Sequence, residues 1–218
     1  MAGKDQVRFQ SVMWQAMLMS AGLPATKQVV YHGFITSGGH KMSKSLGNVI
    51  DPMAIVEEYG ADALRYFLAR HIHPFEDSDF TVERFKEAYN ADLANGLGNV
   101  VARVMKLAED NLTEPYQVSK NALVPPGFTS ALESFAFQEA LERTWNRIAE
   151  IDSEITSKKP FEIVKQDLER GRAEIKILIS LLWTVVIALK PFMPDTSEKI
   201  EDAIKKNKKP ENLFPRKE

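Results

Sequence analysis

Cysteine is absent from this sequence of 218 residues. Its absence excludes a disulfide framework, a thiolate nucleophile and a zinc site with cysteine ligands. The four histidines are too few to replace those ligands easily. We therefore predict a chain that has no metal site of its own, and in particular no zinc.

A large excess of charge and a long apolar run are also absent. The net charge of −2 argues against a protein that binds nucleic acid over its whole surface, although it permits local basic patches. The most apolar run, residues 175–189, would span about 22 Å as a helix, which is shorter than a bilayer core. No secretory signal is recognisable at the beginning of the sequence. These features predict a cytoplasmic protein that does not cross a membrane.

The first 80 residues predict helices and a single strand. Apolar spacing and stop signals indicate helices at residues 7–18, 52–59 and 61–72, the first ended by Gly22 and the second by Gly60. Residues 28–35 are rich in β-branched and aromatic side chains, which indicates a strand. A single strand cannot form a sheet. It therefore pairs with something outside this chain, or it is not a strand.

The sequence after residue 81 predicts only helices and loops. Three prolines and a glycine make residues 115–129 a loop. Apolar periodicity and caps give the following helices: 82–107 capped by Thr81, 132–155, Pro160 to about Arg170, Gly171 to about Lys190, and a last helix capped by Asp195 or Thr196. The expected fold is mainly α, with a short α/β segment (residues 1–80) followed by an antiparallel α-helical bundle (residues 81–218).

The stretch GGHKMSKSLGNVIDP (residues 38–52) combines two lysines three positions apart with two serines, between glycines that loosen the backbone. Asp51 and Pro52 form a helix-start signal directly after it. Ammonium groups and hydroxyl donors on a flexible loop suit an anion that arrives, reacts and leaves. The residue types therefore predict a polyphosphate ligand.

The same loop, with HGFIT before KMSKS and LGNVIDP after it, resembles the signature loop of class I aminoacyl-tRNA synthetases. Other stretches resemble the methionyl-tRNA synthetase branch of that class: GKD at 3–5, WQAMLMSAGLP, YGADALRYFLAR, EDSDFTVERF and YNADLANGLGN. The resemblance is dense from Gly3 to about Asn111, and beyond that KKPFEIVK and LKPFMP carry most of it. A lone KMSKS match is weak, but these motifs in this order are specific.

In that family a nucleotide-binding fold precedes the KMSKS segment and a helical anticodon-binding domain follows it. The resemblance implies that residues 1–80 are the end of the catalytic domain and that residues 81–218 are the anticodon-binding domain. The family's His-Ile-Gly-His signature and its zinc-bearing insertion have no equivalent in this sequence. The implied partner is therefore the missing N-terminal part of the catalytic domain, and the chain alone is expected to be inactive.

The resemblance implies activation of methionine with ATP, accompanied by Mg²⁺, and transfer of methionine to tRNA(Met). The loop would stabilise the leaving pyrophosphate, and the implied catalytic residues are Lys41, Met42, Ser43, Lys44 and Ser45. The residues that match ATP-binding positions are Gly3, Asp5 and Lys44.

Phe9, Gln10 and Trp14 match positions near the family's methionine pocket, where aromatic rings suit a thioether. The sequence departs from the family at this point. Gln6 replaces an aliphatic residue, Gln10 replaces a histidine, and Gln15 replaces a proline. These changes leave open whether Phe9 and Trp14 form a pocket or belong to the core.

Asn99 and Arg103 match the pair that reads anticodon bases in the family, and Phe161 matches an aromatic residue, usually tryptophan, that stacks beside them. Asn99 and Arg103 are four residues apart, so both side chains lie on one helix face. Asp152 and Glu154 replace an asparagine and a tyrosine of the family. Two carboxylates at these positions would repel an RNA backbone unless they bind base donors.

Two other interpretations remain at this point. The KMSKS loop and Gln6 also suit a segment of a valyl-, isoleucyl- or leucyl-tRNA synthetase, although YNADLANGLGN favours the methionine branch. The second alternative is a standalone helical tRNA-binding module. The KMSKS loop argues against this alternative, because a protein that only binds RNA does not need a loop that stabilises pyrophosphate.

Overall fold

The computed structural model describes residues 1–119 and 123–217, and their contacts form two units. The first unit contains Met1–Asp51 and His71–Thr81, and the second contains Pro52–Arg70 and the chain from Val82 onward. Long helices dominate the described residues, while the strands are two or three residues long, so the predicted mainly α fold class is confirmed. The division of function near residue 80 stays a prediction.

The first unit combines short strands with one helical segment. Its elements are β1 (Ala2–Gly3), a 3₁₀ turn (Lys4–Gln6), a π-helical turn (Phe9–Met13), α1 (Trp14–Ser20), β2 (Tyr31–His32), β3 (Ile35–Ser37), β4 (His40–Lys41), a second 3₁₀ turn (Lys44–Leu46) and β5 (Ser78–Asp79). β1 pairs in parallel with β2, whereas β3 pairs antiparallel with β4 and in parallel with β5. The predicted first helix is confirmed, and it ends before Gly22.

The prediction of one continuous strand at residues 28–35, with no strand partner in the chain, is wrong. Gly33 separates β2 from β3, and a Cβ at this position would lie 2.1 Å from the carbonyl oxygen of Glu76. Only a residue without a side chain fits where two backbones approach so closely. Pairings of two or three residues are too short to produce a periodic sequence pattern, so the other strands gave no signal.

The second unit is a helical bundle. Its elements are α2 (Pro52–Tyr59), α3 (Ala61–His71, within this unit as far as Arg70), α4 (Val82–Ala88), a π-helical segment (Tyr89–Gly98), α5 (Asn99–Asn111), α6 (Phe128–Glu133), α7 (Phe137–Lys158), α8 (Pro160–Gln166), α9 (Leu168–Leu189) and α10 (Pro194–Lys206). α9 packs against α5, α7, α8 and α10, and Ile175, Ile179 and Leu182 on α9 are fully buried. The apolar run of the sequence is therefore the centre of the bundle.

The predicted helix after Thr81 exists, but ten of its residues, Tyr89–Gly98, have π-helical geometry. The buried side chains Phe85, Tyr89, Leu93 and Leu97 recur every four residues, which is longer than the 3.6-residue repeat of an α-helix. The wider π turn keeps them on one side. Within this segment, the half-buried Asp92 accepts a hydrogen bond of 2.6 Å from the hydroxyl of Tyr66 on α3, and burial raises the pKa of Tyr66.

The expected helix boundary at Gly171 is wrong. α9 begins at Leu168, and Asp167 caps it by accepting a hydrogen bond of 3.0 Å from the Arg170 amide. Gly171 lies inside α9, where an added Cβ would be 2.3 Å from the side chain of Val164 and 2.6 Å from its Cα. The glycine therefore allows α8 to cross closely over the first turn of α9, and it does not mark a helix end.

Two other predicted helix starts differ from the structure. Phe135, with φ of +60°, separates α6 from α7, so the helix predicted at 132–155 begins only at Phe137, and a short helix that was not predicted, α6, precedes it. α10 begins at Pro194, and the Thr196 amide donates a 2.6 Å hydrogen bond to Asp62 of α3. The Asp62 carboxylate, which is distant in sequence, thus takes the place of the expected N-terminal cap. The predicted loop at 115–129 includes residues 120–122, which lie outside the described residues.

Candidate functional site

The KMSKS loop, residues 41–45, follows the hairpin formed by β3 and β4. Gly38 and Gly39 form its two-residue turn, since Ser37 pairs with His40, and both glycines have positive φ, +62° and +75°. Such a turn matches the twist of the two strands and requires residues that tolerate positive φ. Lys41 is the last residue of β4, so the loop begins directly at a hydrogen-bonded ladder.

The side chain of Asn48 closes the loop. Its Oδ1 accepts a hydrogen bond of 2.9 Å from the Ser43 amide, and its Nδ2 donates to the Lys41 carbonyl at 3.3 Å. Ser43 in turn caps the 3₁₀ turn by accepting from the Leu46 amide at 3.3 Å. No motif in the sequence indicated this role of Asn48. The position of a polar side chain directly after Gly47, which ends the 3₁₀ turn, was the sequence feature that could have indicated it.

The two loop lysines have different environments. The Nζ of Lys41 lies 4.5 Å from the centre of the Phe34 ring, and the Nζ of Lys4 lies 4.7 Å from the same ring. Lys4 also pairs with Asp77 at 2.6 Å, and this hydrogen bond lowers the pKa of Asp77. Lys44 is exposed on the 3₁₀ turn and has no ion pair with any residue in the ranges 1–119 and 123–217. Both loop ammonium groups can therefore meet an anion.

The loop hydroxyls lie close together. The Oγ atoms of Ser43 and Ser45 are 3.2 Å apart, and Ser45 is exposed. Met42, between Lys41 and Ser43, is half-buried. The loop thus offers hydroxyl and ammonium groups toward solvent while one of its side chains is covered.

We expect Asn48→Ala to loosen the loop without unfolding the chain. Loss of a hydrogen bond that stabilises by about 1 kcal/mol would make hydrogen exchange of the Ser43 amide roughly fivefold faster. Exchange can be followed by NMR, with the melting temperature as a control for the fold. Asn48→Asp keeps an oxygen acceptor for the Ser43 amide, so its Ser43 exchange should stay near that of the wild type. Unchanged exchange in Asn48→Ala would contradict this role.

Gly3 and Asp5, predicted near ATP, lie at the start of the first unit. Gly3 pairs with His32 across β1 and β2, and Asp5 is exposed in the first 3₁₀ turn. A Cβ on Gly3 would be 2.7 Å from Oδ1 of Asp5, so the carboxylate folds over the glycine. The exposed carboxylate can accept hydrogen bonds from a ligand.

The predicted methionine-pocket residues lie on an exposed helix. Phe9 is 52% exposed and Trp14 is 45% exposed, so neither belongs to a core formed by the described residues. Gln15, one of the departures from the family, donates to the Gln10 carbonyl at 2.9 Å and accepts from the Thr26 amide at 2.9 Å. The other exposed apolar side chains along this segment are Val7, Val12, Met13, Met17 and Met19. The methionine pocket stays a prediction.

Asn99, Arg103 and Phe161 line one surface groove of about 390 Å³. Asn99 and Arg103 lie one turn apart at the start of α5, where Asn99 is exposed. Phe161 follows Pro160 at the start of α8 and is 43% exposed. The remaining lining residues are Ala102, Lys106, Leu107, Ile155 and Lys209. The groove thus combines an amide, cations and an exposed aromatic ring.

The carboxylates near this groove are paired with cations. Arg103 forms an ion pair with Asp152 of α7. Glu154 pairs with Lys158 at 2.5 Å, and Glu174 contacts the same lysine at 3.2 Å. These hydrogen bonds raise the pKa of Lys158. The sequence predicts that Asp152 and Glu154 repel an RNA backbone unless they bind base donors; in the structure each carboxylate charge is offset by a neighbouring cation.

The C-terminal segment, residues 209–217, packs beside this groove. The sequence did not indicate this contact. Phe214 is 5% exposed and packs edge-on against Tyr89 with 6.0 Å between ring centres. The amide side chain of Asn90 bonds to both backbone groups of Lys217, at 2.8 and 3.1 Å. A cavity of about 790 Å³ lies between this segment and the helix that carries Asn99. The adjacent apolar residues Leu213 and Phe214 were the sequence feature that could have indicated a packed C-terminal segment.

The described residues contain neither a cluster of metal-ligating side chains nor a membrane-spanning helix. Within residues 1–119 and 123–217, no group of three or more histidine, aspartate or glutamate side chains could hold a metal ion. None of the helices in these two ranges has the length and apolar character that a membrane crossing requires.

Comparisons with known proteins agree with the motifs. The family model of tRNA synthetases class I (M) matches residues 1–105. A methionine–tRNA ligase from Thermotoga maritima is 35% identical over 95% of this chain and 35% of its own length. One from Thermosynechococcus vestitus is 53% identical over 49% of this chain and 20% of its own length.

A solved structure gives the same relationship. Methionyl-tRNA synthetase from Mycobacterium tuberculosis, in complex with methionyl-adenylate, is 30% identical with a TM-score of 0.77, over 92% of this chain and 42% of its own. This chain spans well under half the length of these relatives. The motifs, the fold and the relatives lead to one conclusion: the chain belongs to the methionyl-tRNA synthetase family of class I aminoacyl-tRNA synthetases.

Proposed function

We propose that this chain supplies two parts of the methionyl-tRNA synthetase reaction. The KMSKS loop stabilises pyrophosphate during formation of methionyl-adenylate, and the helical unit reads the anticodon of tRNA(Met). The observation that carries the proposal is the groove in which Asn99, Arg103 and Phe161 come together from helices distant in sequence. The solved Mycobacterium tuberculosis relative, with methionyl-adenylate bound, supports the chemistry.

In adenylate formation the methionine carboxylate attacks the α-phosphate of ATP and pyrophosphate leaves. The reaction needs no nucleophile from the protein, so catalysis rests on positioning and on stabilising the phosphate charge. Lys41 and Lys44 offset negative charge on the leaving pyrophosphate, while Ser43 and Ser45 donate hydrogen bonds. Asp5, folded over Gly3, accepts hydrogen bonds from the ribose hydroxyls. Mg²⁺ enters together with ATP as part of the nucleotide substrate.

The groove reads bases through stacking and hydrogen bonds. The exposed ring of Phe161 offers a face on which an unpaired base stacks. Asn99 can donate to and accept from a base edge, and Arg103 adds fixed donors. These are the means by which single-stranded RNA loops are recognised. The groove therefore takes one or more anticodon bases of tRNA(Met).

The chain requires the preceding part of such an enzyme for activity. The exposed apolar side chains of the first helical segment, Phe9 and Trp14 among them, support a contact with that part. Phe9, Gln10 and Trp14 then form part of the methionine pocket. On this proposal residues 1–80 contribute to catalysis and residues 81–218 to anticodon binding. The relatives described above favour methionine over valine, isoleucine or leucine as the substrate.

Binding to RNA hairpins tests the anticodon function. The chain is titrated with a hairpin whose loop carries CAU and with a second hairpin that differs only in a U at the first anticodon position. We expect tighter binding to the CAU hairpin across a range of salt concentrations. Equal, strongly salt-dependent binding to both would contradict the proposal, because it would indicate contacts with phosphates only.

An exchange assay tests the dependence on the rest of the enzyme. The chain alone is incubated with methionine, ATP and labelled pyrophosphate, and formation of labelled ATP is measured. We expect no methionine-dependent exchange above background. Exchange by the isolated chain would contradict the proposal that it is an incomplete catalytic unit.

A further inference from the structure

A half-buried carboxylate lies beside the hairpin that precedes the KMSKS loop. Asp79 is the last residue of β5, and its Oδ1 accepts a hydrogen bond of 2.9 Å from the Gly39 amide and another of 2.9 Å from the Thr36 hydroxyl. Thr36 lies on β3, and Gly39 belongs to the turn between β3 and β4. One carboxylate therefore joins this strand to the turn that follows it.

The pairing register places the carboxylate one strand away from the first lysine of the loop. On β3, Thr36 pairs with Lys41 of β4 on one side and with Asp79 of β5 on the other. Lys41 is the last residue of β4 and the first residue of the KMSKS sequence. A shift of Thr36 or of the turn is therefore transmitted directly to the start of the loop.

Side-chain packing contributes little to the rigidity of the turn. Gly38 and Gly39 are exposed, and a Cβ on either would meet no atom of residues 1–119 and 123–217 within 4 Å beyond its chain neighbours. Glycine loses more conformational freedom on ordering than any other residue. β4 has only two residues, and an isolated two-stranded hairpin is marginally stable at best in water. The hydrogen bonds to Asp79 therefore carry much of the restraint on the turn.

We propose that Asp79 is a positioning residue for the KMSKS loop: by accepting hydrogen bonds from Gly39 and Thr36 it fixes the hairpin, so that the loop lysines meet the leaving pyrophosphate in one place. This inference rests on the proposed function of the loop in adenylate formation. Stabilisation of developing charge depends on groups that are fixed in advance, and displacing such a group by about 1 Å can lower a rate about 10²-fold. Asp79 acts through the loop and does not touch the substrate.

The kinetic test is methionine-dependent exchange of pyrophosphate into ATP by a full-length enzyme that carries this segment. Asp79→Ala removes both hydrogen bonds, so we expect kcat to fall about 10- to 100-fold while the KM for methionine changes little. Asp79→Asn keeps an oxygen acceptor at the same place and should remain within about threefold of the wild type. Ser78→Ala is the matched control on the same strand. It removes a 2.9 Å hydrogen bond from the His73 amide, outside the hairpin, and should keep the rate of the wild type.

A double-mutant cycle with Lys44→Ala separates positioning of the loop from a general effect on the fold. If Asp79 acts through the loop, loss of Lys44 removes much of what it positions. The double variant should then be no more than about threefold slower than the slower single variant, whereas independent effects multiply. Thr36→Val removes one of the two donors and keeps a branched side chain, so kcat should fall less than in Asp79→Ala. Thr36→Val also provides the test if Asp79→Ala does not fold.

Hydrogen exchange of the Gly39 amide, followed by NMR on this chain, measures the restraint directly. Loss of a hydrogen bond to a charged acceptor should make this exchange about tenfold faster or more in Asp79→Ala. Ser78→Ala should leave it unchanged, and melting temperatures of all variants control for the fold. Unchanged Gly39 exchange in Asp79→Ala would contradict the proposed restraint.

Two kinetic outcomes would overturn the inference and leave the proposed function standing. A kcat in Asp79→Ala equal to that of Ser78→Ala would show that the loop does not depend on this carboxylate. Effects of Asp79→Ala and Lys44→Ala that multiply would show that Asp79 supports the fold independently of the loop. Wild-type exchange in Lys44→Ala would instead contradict the proposed function of the loop, and the inference with it.

Discussion

In a full-length enzyme that carries this segment, Lys44→Ala lowers the rate of methionyl-adenylate formation about 10²- to 10³-fold, the cost of losing one well-placed donor to developing charge. Lys44 is exposed on a short 3₁₀ turn and has no ion pair within residues 1–119 and 123–217. Its ammonium group is therefore available for the leaving pyrophosphate. The turn is fixed at one end by the Ser43 cap and at the other by Gly47, whose φ is +64°.

The measurement is methionine-dependent exchange of pyrophosphate into ATP. If Lys44 acts on the transition state, kcat falls while the KM for methionine changes little. Lys27→Ala removes an exposed lysine from the same unit and serves as the control for charge, with exchange near that of the wild type. A similar loss in both variants, or a change confined to KM, would contradict the assigned role.

Local sequence signals correctly predicted those helices whose ends are marked by proline or glycine. The predicted bounds of α2 match the structure, because Pro52 suits the first position of a helix and Gly60, with φ of +87°, ends it. The long apolar helix was also recognisable from its composition. Both results depend on residues that are neighbours in the sequence, which is where such signals act.

Contacts between different elements of the fold explain what the sequence did not reveal. Gly33 and Gly171 each sit where a Cβ would collide with another segment, Glu76 in one case and Val164 in the other. Glu76 is far from Gly33 in the sequence, and although Val164 is near Gly171, the break between α8 and α9 removes the helical spacing that would relate the two residues. For the same reason the sequence assigned Gly171 to a helix boundary, although it lies within α9.

The candidate groove was predictable only in part. Helical spacing placed Asn99 and Arg103 on one face, but the position of Phe161 followed from the family resemblance and not from the pattern of residues. The pairing of Arg103 with Asp152 joins α5 to α7, so no local pattern contains it. A substitution that the sequence analysis treated as a source of repulsion is thus a partner of the proposed reader.

The second large effect is expected for Phe161→Ala, which should weaken binding of the CAU hairpin roughly fivefold to 150-fold. Loss of one stacked base costs about 1 to 3 kcal/mol, and the ring is exposed enough to meet a base. Because 43% of the side chain is exposed, its removal should have little effect on the melting temperature. Phe161→Trp keeps an aromatic face and should bind at least as tightly as the wild type.

Leu168→Ala provides the matched control for Phe161→Ala. Leu168 is a 46% exposed apolar side chain at the start of α9 and does not line the groove. Binding of the CAU hairpin is measured by titration for all three variants at one salt concentration. Because stacking carries little charge, the salt slope of Phe161→Ala should equal that of the wild type even as affinity falls. A reduced slope would mean that the substitution had displaced cations from the RNA, and binding unaffected by Phe161→Ala would show that no base stacks on this ring.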